Sequence, residues 1–400
     1  MIRNTLKLPD EYTAALCDRL EFDLSAASLA TRMGKTYITR MSEIVSHISE
    51  GLTTNRAEFL ASGYLRQKEI REAYTLYYMT TNLLKISQPL RELSFSKSFD
   101  NLVPLRILDL GTGTGAAIWG TLSYFNEKEN SIPSEIMLTD SLQENLREVE
   151  IFSRYFVKSL PLQPRLNFEL FDLRNPEYIP QKIKTSGPYH LITMMNVLNE
   201  LEEKNDEVLL NSLLTLLDNN GSIIIVEPAT RIESRRLLRF RDLAAFRNIT
   251  IYSPCTRQAN CPALANEDDW CHTDIAWERP PFIKAIDDIV GTLRLTLKST
   301  YMILRKDGMT LGKALQKENL YRVVSERFDE KGRVRGILCG ENGRNEHIIN
   351  KRDMEDLNKD FQNIRRYDVV NLTGEEVREH DIRLPEGSKF SIVLPILGAR

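Results

Sequence analysis

The segment 105–115, LRILDLGTGTG, constrains this chain more than any other. A short apolar strand runs into Gly111, Gly113 and Gly115, with threonines between them. Glycines at the end of a strand let the chain turn sharply and let a ligand approach the backbone closely. From this segment onward short apolar runs alternate with helical patterns. The strand candidates are 106–110, 135–139, 167–172, 190–195, 222–227 and 300–304, with helical stretches such as 141–158 and 206–217 between them. That alternation predicts an α/β fold, a doubly wound and mostly parallel sheet. Ligands of such sheets sit outside the carboxyl ends of the strands.

The flanking regions read differently. Residues 1–96 form an N-terminal helical domain, from the helical spacing of apolar residues after about residue 10. The polar stretch SFSKSFDNLVP then serves as a hinge into a Rossmann-like domain, 97–306. A Cys- and Pro-rich insertion, 250–290, interrupts that domain. The tail, 307–400, is mixed and β-rich, with VRGILCG and KFSIVLPI as strands. At 400 residues the chain exceeds what one core usually supports, which agrees with several domains. No run of roughly 18 apolar residues occurs, so no membrane partner is expected. No apolar signal core opens the chain, and Asp10 and Glu11 come early; a cytoplasmic protein is predicted. The net charge of -3 does not favour a dedicated nucleic-acid binder, although 231–247 holds six arginines.

A bare glycine triplet is weak evidence, and a dinucleotide-dependent dehydrogenase is the nearest rival. Three acids argue for another ligand. Asp109 precedes the triplet, Asp140 follows the second strand, and Asp172 ends the third. Asp140 is placed to accept hydrogen bonds from a ribose diol, and Asp172 with Leu173 to lie beside an adenine. The set resembles the class I S-adenosylmethionine-dependent methyltransferases. The resemblance implies that Asp109, Gly111, Gly113 and Gly115 lie near the methionine part of the cofactor. It puts Asp140 on the ribose, Asp172 on the adenine side, and Asn196 where substrate and methyl group meet. Cofactor binding is not catalysis. The Asn/Asp-Pro-Pro-aromatic motif of base amino-group methyltransferases is absent, and no cysteine nucleophile lies on the fourth or fifth strand. Asn196, Asn199 and Glu200 are the polar groups expected near the methyl, with Glu227 and Pro228 shaping the pocket.

Four of the five cysteines form a second constellation: Cys255, Cys261 and Cys271 in the irregular insertion, and Cys339 far along the chain. Thiolates converging on a metal would hold such a loop, and four of them suit zinc or an iron–sulfur cluster. His272 directly follows Cys271 and is expected beside the centre, not on it.

The run C-x5-C-P…W-C-H, made by Cys255, Cys261-Pro262 and Trp270-Cys271-His272, is similar to the signature of the methyltransferase-like small-ribosomal-subunit assembly family, which includes mitochondrial ribosome-assembly proteins and bacterial relatives. EPAT at 227–230, the arginine-rich segment after it, and YMILRK at 301–306 also match, and the resemblance covers about 60–370. Thr256 and Arg257 stand where family members often have Pro-His. The resemblance implies a [4Fe–4S] cluster on Cys255, Cys261, Cys271 and Cys339, tying the insertion to the tail. It implies a small-ribosomal-subunit assembly factor that contacts rRNA, is a monomer away from the ribosome, and methylates that RNA. Arg235, Arg236, Arg239 and Arg257 are the expected phosphate contacts. Two other readings remain open here: a methyltransferase for a small molecule or protein with a structural zinc or cluster, and an assembly chaperone without catalysis.

Overall fold

The computed structural model describes residues 5–398 except 55, 101, 129–133, 162 and 380. Its centre is a sheet of eight strands: β1 (Leu105–Leu110), β2 (Ser134–Asp140), β3 (Arg165–Leu170), β4 (Tyr189–Met195), β5 (Leu217–Pro228), β6 (Thr250–Ser253), β7 (Thr273–Ala276) and β8 (Thr296–Arg305). The order is β3-β2-β1-β4-β5-β8-β6, with β7 also on β8. Strands β1 to β5 run parallel; β8 is antiparallel between β5 and β6. The order reverses between β1 and β4, which opens a crevice at their carboxyl ends. β1 and β4 read as nearly unbroken apolar runs because the middle of a parallel sheet is covered on both faces.

The N-terminal helices do not form a core of their own. Tyr12, Val45, Leu76 and Leu90 share one apolar cluster with Ile107, Trp119, Ile136 and Phe152 of the sheet layer. The helix Thr80–Leu83 lies directly on Ala116–Glu127, the helix that follows the glycine loop. Gly120 permits this: a Cβ there would stand 2.8 Å from Ile86 Cγ2 and collide with the Leu83 carbonyl. Asn101, within the expected hinge, lies outside the described residues.

The tail forms a second sheet: β9 (Leu320–Val323), β10 (Phe328–Asp329), β11 (Arg333–Gly340), β12 (Gly343–Asn350), β13 (Val369–Thr373), β14 (Glu376–Val377), β15 (Ile382–Arg383) and β16 (Lys389–Leu394). Its order is β14-β15-β12-β11-β9-β13-β16, with β10 on β11. It has its own apolar core, including Val323, Leu338, Phe361 and Phe390.

The segment 250–290 corrects an expectation. It is not a Cys-rich insertion standing apart from the sheet. Both β6 and β7 belong to it and pair with β8, and it ends in the helix Pro281–Val290. The cysteine spacing masked two short strands whose partner lies downstream.

Candidate functional site

Two cavities gather the expected cofactor and cysteine residues. The first is a cleft of about 430 Å³ at the ends of β1, β2 and β4, within the usual size of small-molecule sites. Gly111, Thr112, Gly113, Thr114, Asp140, Asp172, Leu173 and Asn196 line it. Gly113 has φ +53, and a Cβ there would meet nothing within 4 Å, so its backbone faces open space. Its N–H donates to Asp140 Oδ2 at 2.9 Å, while Asp140 Oδ1 accepts from the Leu142 N–H at 2.8 Å and from Asn145 Nδ2 at 3.1 Å. Three donors thus fix the Asp140 carboxylate at the cleft wall, although burial raises its pKa. Arg174 pairs with Asp172 at 2.6 Å and holds that carboxyl below its ordinary value.

Several expected residues work from behind the wall. Asp109 is 1% exposed and does not line the cleft. Its two oxygens accept from Thr112 Oγ1 and Thr193 Oγ1, each at 2.6 Å, which ties the glycine loop to β4; burial pushes its carboxyl up to about 6. Gly115 (φ +97) starts the helix Ala116–Glu127, where a Cβ would collide with the Trp119 indole. Asn196 lines the cleft with φ +58, and its N–H donates to Val226 O at 2.8 Å. Asn199 does not reach the cleft, and its side-chain amide has no partner among the described residues.

Two carboxyls stand out. Glu200 lines the cleft and is exposed to its solvent. Desolvation by the cleft walls raises its carboxyl to about 7, against the pull of Arg56 and Arg174. Glu227, wholly buried, accepts the N–H groups of Val197 and Leu198 at 3.0 and 2.9 Å, and burial raises it to about 8. It therefore shapes the loop after β4.

Sequence reading missed the roof of the cleft. Leu60, Tyr64, Arg66, Tyr74 and Asn82, all from the N-terminal helices, complete the lining. Tyr74 has the look of a packing residue at helical spacing, and it stacks on Tyr78 at 5.1 Å. A π-helical turn at Thr75–Met79 follows it; such turns recur at functional sites, and nothing in residue order announces this one. A polar Asn82 and Lys85 inside the run TTNLLKI were the available signal.

The second cavity is lined by Cys255, Cys261, Cys271 and Cys339 together, with Arg241, Arg257, Arg322 and Arg344. Cys339 sits near the end of β11, opposite Arg344 of β12 and Arg322 of β9. Arg344 Nη1 donates to Cys271 Sγ at 3.5 Å, and Thr256 Oγ1 donates to the Cys339 carbonyl at 3.2 Å. Burial pushes the Cys261, Cys271 and Cys339 thiols each to about 12. Among the described residues no group of three or more His, Cys, Asp and Glu is placed to hold a metal ion, the four cysteines included. The His272 ring stacks on Trp270, with centroids 5.9 Å apart.

The arginines expected to meet phosphate are mostly turned inward. Arg235 donates to the carbonyls of Ala263, Asn266 and Asp269 at 3.1, 2.7 and 2.9 Å. Arg236 is 8% exposed and paired with Asp206. Arg239 pairs with Glu203 at 2.9 Å, half in solvent. Arg257 points into the cysteine cavity. The helix Arg231–Phe246 thus braces the cysteine loop from inside the molecule.

The model of the family described as mitochondrial small ribosomal subunit Rsm22 matches residues 68–368, a span that contains the cysteine cavity and the cleft apart from its lining at 60–66. The chain belongs to the Rsm22 family. That finding overturns the cytoplasmic expectation, because the Rsm22 family is defined as mitochondrial. Early acids and a missing apolar signal do not report on that compartment. No helix of the described residues is long and apolar enough to cross a membrane. A search of curated proteins finds no match. Among solved structures, the plantazolicin methyltransferase BamL is similar at 13% identity, covering 68% of this chain and 99% of that one, with a TM-score of 0.34. TehB from Haemophilus influenzae is similar at 11% identity, covering 54% and 61%, TM-score 0.33. An O-methyltransferase family protein from Burkholderia thailandensis is similar at 13% identity, covering 62% and 63%, TM-score 0.32. The class I core is read instead from the strand order, with one antiparallel strand inside an otherwise parallel sheet. Family and fold together support an S-adenosylmethionine-dependent methyltransferase with N-terminal helices and a C-terminal β-sheet.

Proposed function

We propose that this Rsm22-family chain binds S-adenosylmethionine in the glycine-loop cleft, carries an iron–sulfur cluster on Cys255, Cys261, Cys271 and Cys339, and acts on the rRNA of the assembling small ribosomal subunit. The observation that carries the reading is the meeting of four cysteines, three from one segment and one from the second sheet, around a single space. That space measures about 40 Å³. Four thiolates suit zinc or an iron–sulfur cluster, and the resemblance carried by the C-x5-C-P…W-C-H run implies the cluster. The donor set fits: four thiolates bring negative charge, and Arg241, Arg257, Arg322 and Arg344 around them bring the opposite sign. The cluster's role is structural, joining the cysteine loop to β11. The sequence boundaries, 1–96, 97–306 and 307–400, stand as the proposed units.

A bound donor supplies an electrophilic methyl group; the chain's own residues do the rest. Asp140 would hold the ribose hydroxyls and the Asp172–Leu173 turn the adenine edge. Asn196, fixed at the end of β4, faces the space where a nucleophile must approach in line. Glu200, with a pKa near neutrality, is the base for that nucleophile's proton. Membership of the Rsm22 family supports the small subunit as the partner.

Anaerobic purification followed by iron, zinc and sulfide analysis tests the central claim. A brown protein with about four irons and matching sulfide per chain supports it. Stoichiometric zinc without sulfide overturns it, whatever the activity.

A further inference from the structure

The roof of the cleft holds a charge with no counter-charge. Lys85 is 8% exposed, and its Nζ makes one hydrogen bond among the described residues, to Asn82 Oδ1 at 2.7 Å. Among the described residues the charged group that acts on it is another cation, Arg294. Arg294 itself is close to Asp287, whose Oδ2 accepts its backbone N–H at 3.3 Å, and its Nε donates to Tyr77 OH at 2.8 Å. Lys85 has no such relief, and burial lowers its pKa to about 7. A buried ammonium with two idle donors is costly unless something anionic arrives.

Asn82 connects this amine to the cleft. It is 7% exposed and lines the wall together with Thr114, Ala116 and Ala117. An ammonium only donates, so the amide must turn its oxygen to Lys85. Its NH2 then points the other way, toward the cleft. The short helix carrying it is pinned against Gly120 on the helix behind the glycine loop, so the group has little freedom. Across the sheet Asp172 follows β3, Asp140 ends β2 and the glycine loop follows β1, and the helix that carries Asn82 packs on the helix after that loop. The end beside Asn82 is left for the amino-acid tail of the ligand.

We propose that Asn82, held by Lys85, donates its amide N–H to the α-carboxylate of the methyl donor, with the Lys85 ammonium as the charge behind it. Asn82 is the contact residue and Lys85 the positioning residue. This rests on the reading of the cleft as an S-adenosylmethionine site, and it makes the helical roof part of cofactor recognition.

The test compares two ligands that differ in that carboxylate alone: S-adenosylhomocysteine and S-adenosyl-3-thiopropylamine, its decarboxylated counterpart. Affinities are measured by calorimetry on the full chain. The unaltered protein should prefer S-adenosylhomocysteine by about tenfold or more, the usual worth of a charge-assisted hydrogen bond. Lys85→Met and Asn82→Ala should erase that preference and leave the decarboxylated ligand within about twofold. Asn82→Asp, which pairs with Lys85 and so preserves the fold, should reverse the preference in favour of the amine. Equal loss of both ligands in Lys85→Met, with Asn82→Asp still preferring the carboxylate, overturns the proposal, as does no change in any variant. If the unaltered protein binds neither ligand, the methyl-donor reading fails and this proposal falls with it. If it binds both alike, the donor reading stands and this proposal alone fails.

Discussion

Glu200 and Glu227 lie in the same region and call for opposite expectations. Glu200 meets the cleft, so its ionisation enters the rate. A base works when deprotonated, so methyl transfer to immature small-subunit RNA should rise with pH through about 7. Glu200→Gln should flatten that rise and lower turnover by roughly 10²–10⁴-fold, with S-adenosylhomocysteine affinity unchanged. A profile that keeps its rise in the variant would remove Glu200 from the chemistry. Glu227 never meets the cleft, and its pH dependence belongs to stability. Its folded pKa, about 8, lies above the unfolded value, so between the two the folded state holds a proton that the unfolded state has lost. Its contribution is therefore full at low pH and lost as pH rises toward 8. Glu227→Gln keeps an acceptor for the Val197 and Leu198 N–H groups, so the fall in Tm across that window should shrink. Residues whose task is local were legible in sequence: the glycines and Asp140 answer to the turn beside them. Asn82, Lys85 and Tyr74 were not, because only packing of a distant helix brings them to the cleft. Arginine density was legible between 231 and 247, but not the direction of each side chain, which the carbonyls of a loop some thirty residues later decide.

At the scale of elements, that helix and loop form one device. The loop 254–272 between β6 and β7 has few large apolar residues, and backbone carbonyls turned inward need donors. Arg235 donates to four such carbonyls, that of Leu264 included at 3.3 Å, and Arg241 donates to the Arg257 carbonyl at 2.6 Å and to that of Ala259. Asp242 accepts the Cys261 N–H at 2.9 Å from the same helix. Arg235→Met keeps the side chain's bulk and loses those bonds, at a cost of about 1.5–3 kcal/mol for charged hydrogen bonds of this kind. The protein should release iron to a chelator faster, while S-adenosylhomocysteine binding stays as before. Iron retained at the original rate would mean that the loop is held by the thiol ligands alone. The strands of the central sheet were readable because buried parallel strands are apolar throughout. β6 and β7 were not, since each is four residues long and they stand on either side of the irregular cysteine stretch.

At the scale of the whole molecule, the two sheets meet at the cysteine cavity and at one buried ion pair. Arg322 of β9 donates to both oxygens of Glu92, at 2.8 and 3.0 Å, and its Nε reaches the Pro254 carbonyl, next to Cys255, at 2.9 Å. Tyr252 OH donates to the Glu92 carbonyl at 2.7 Å, so Glu92 binds the N-terminal helices to both sheets. The second sheet has an apolar core of its own, and Leu320, Val369 and Leu394 also pack into the cluster of the central sheet, so these polar links add to shared packing. Breaking one partner of a buried pair leaves the other charged and stranded, at about 3–5 kcal/mol. Cys339→Ser adds the loss of the proposed cluster from the second sheet's side without touching the cleft. Limited proteolysis should then cut near 306–320 and free the tail, whereas the holoprotein resists; S-adenosylhomocysteine affinity should move by less than about twofold. Loss of cofactor binding along with the tail would mean that the two sheets fold as one unit and that the cluster supports the catalytic core as well. The sequence could place Cys339 in the tail, yet the pairing that matters here, Cys339 between Arg322 and Arg344, arises from strand register across β9, β11 and β12.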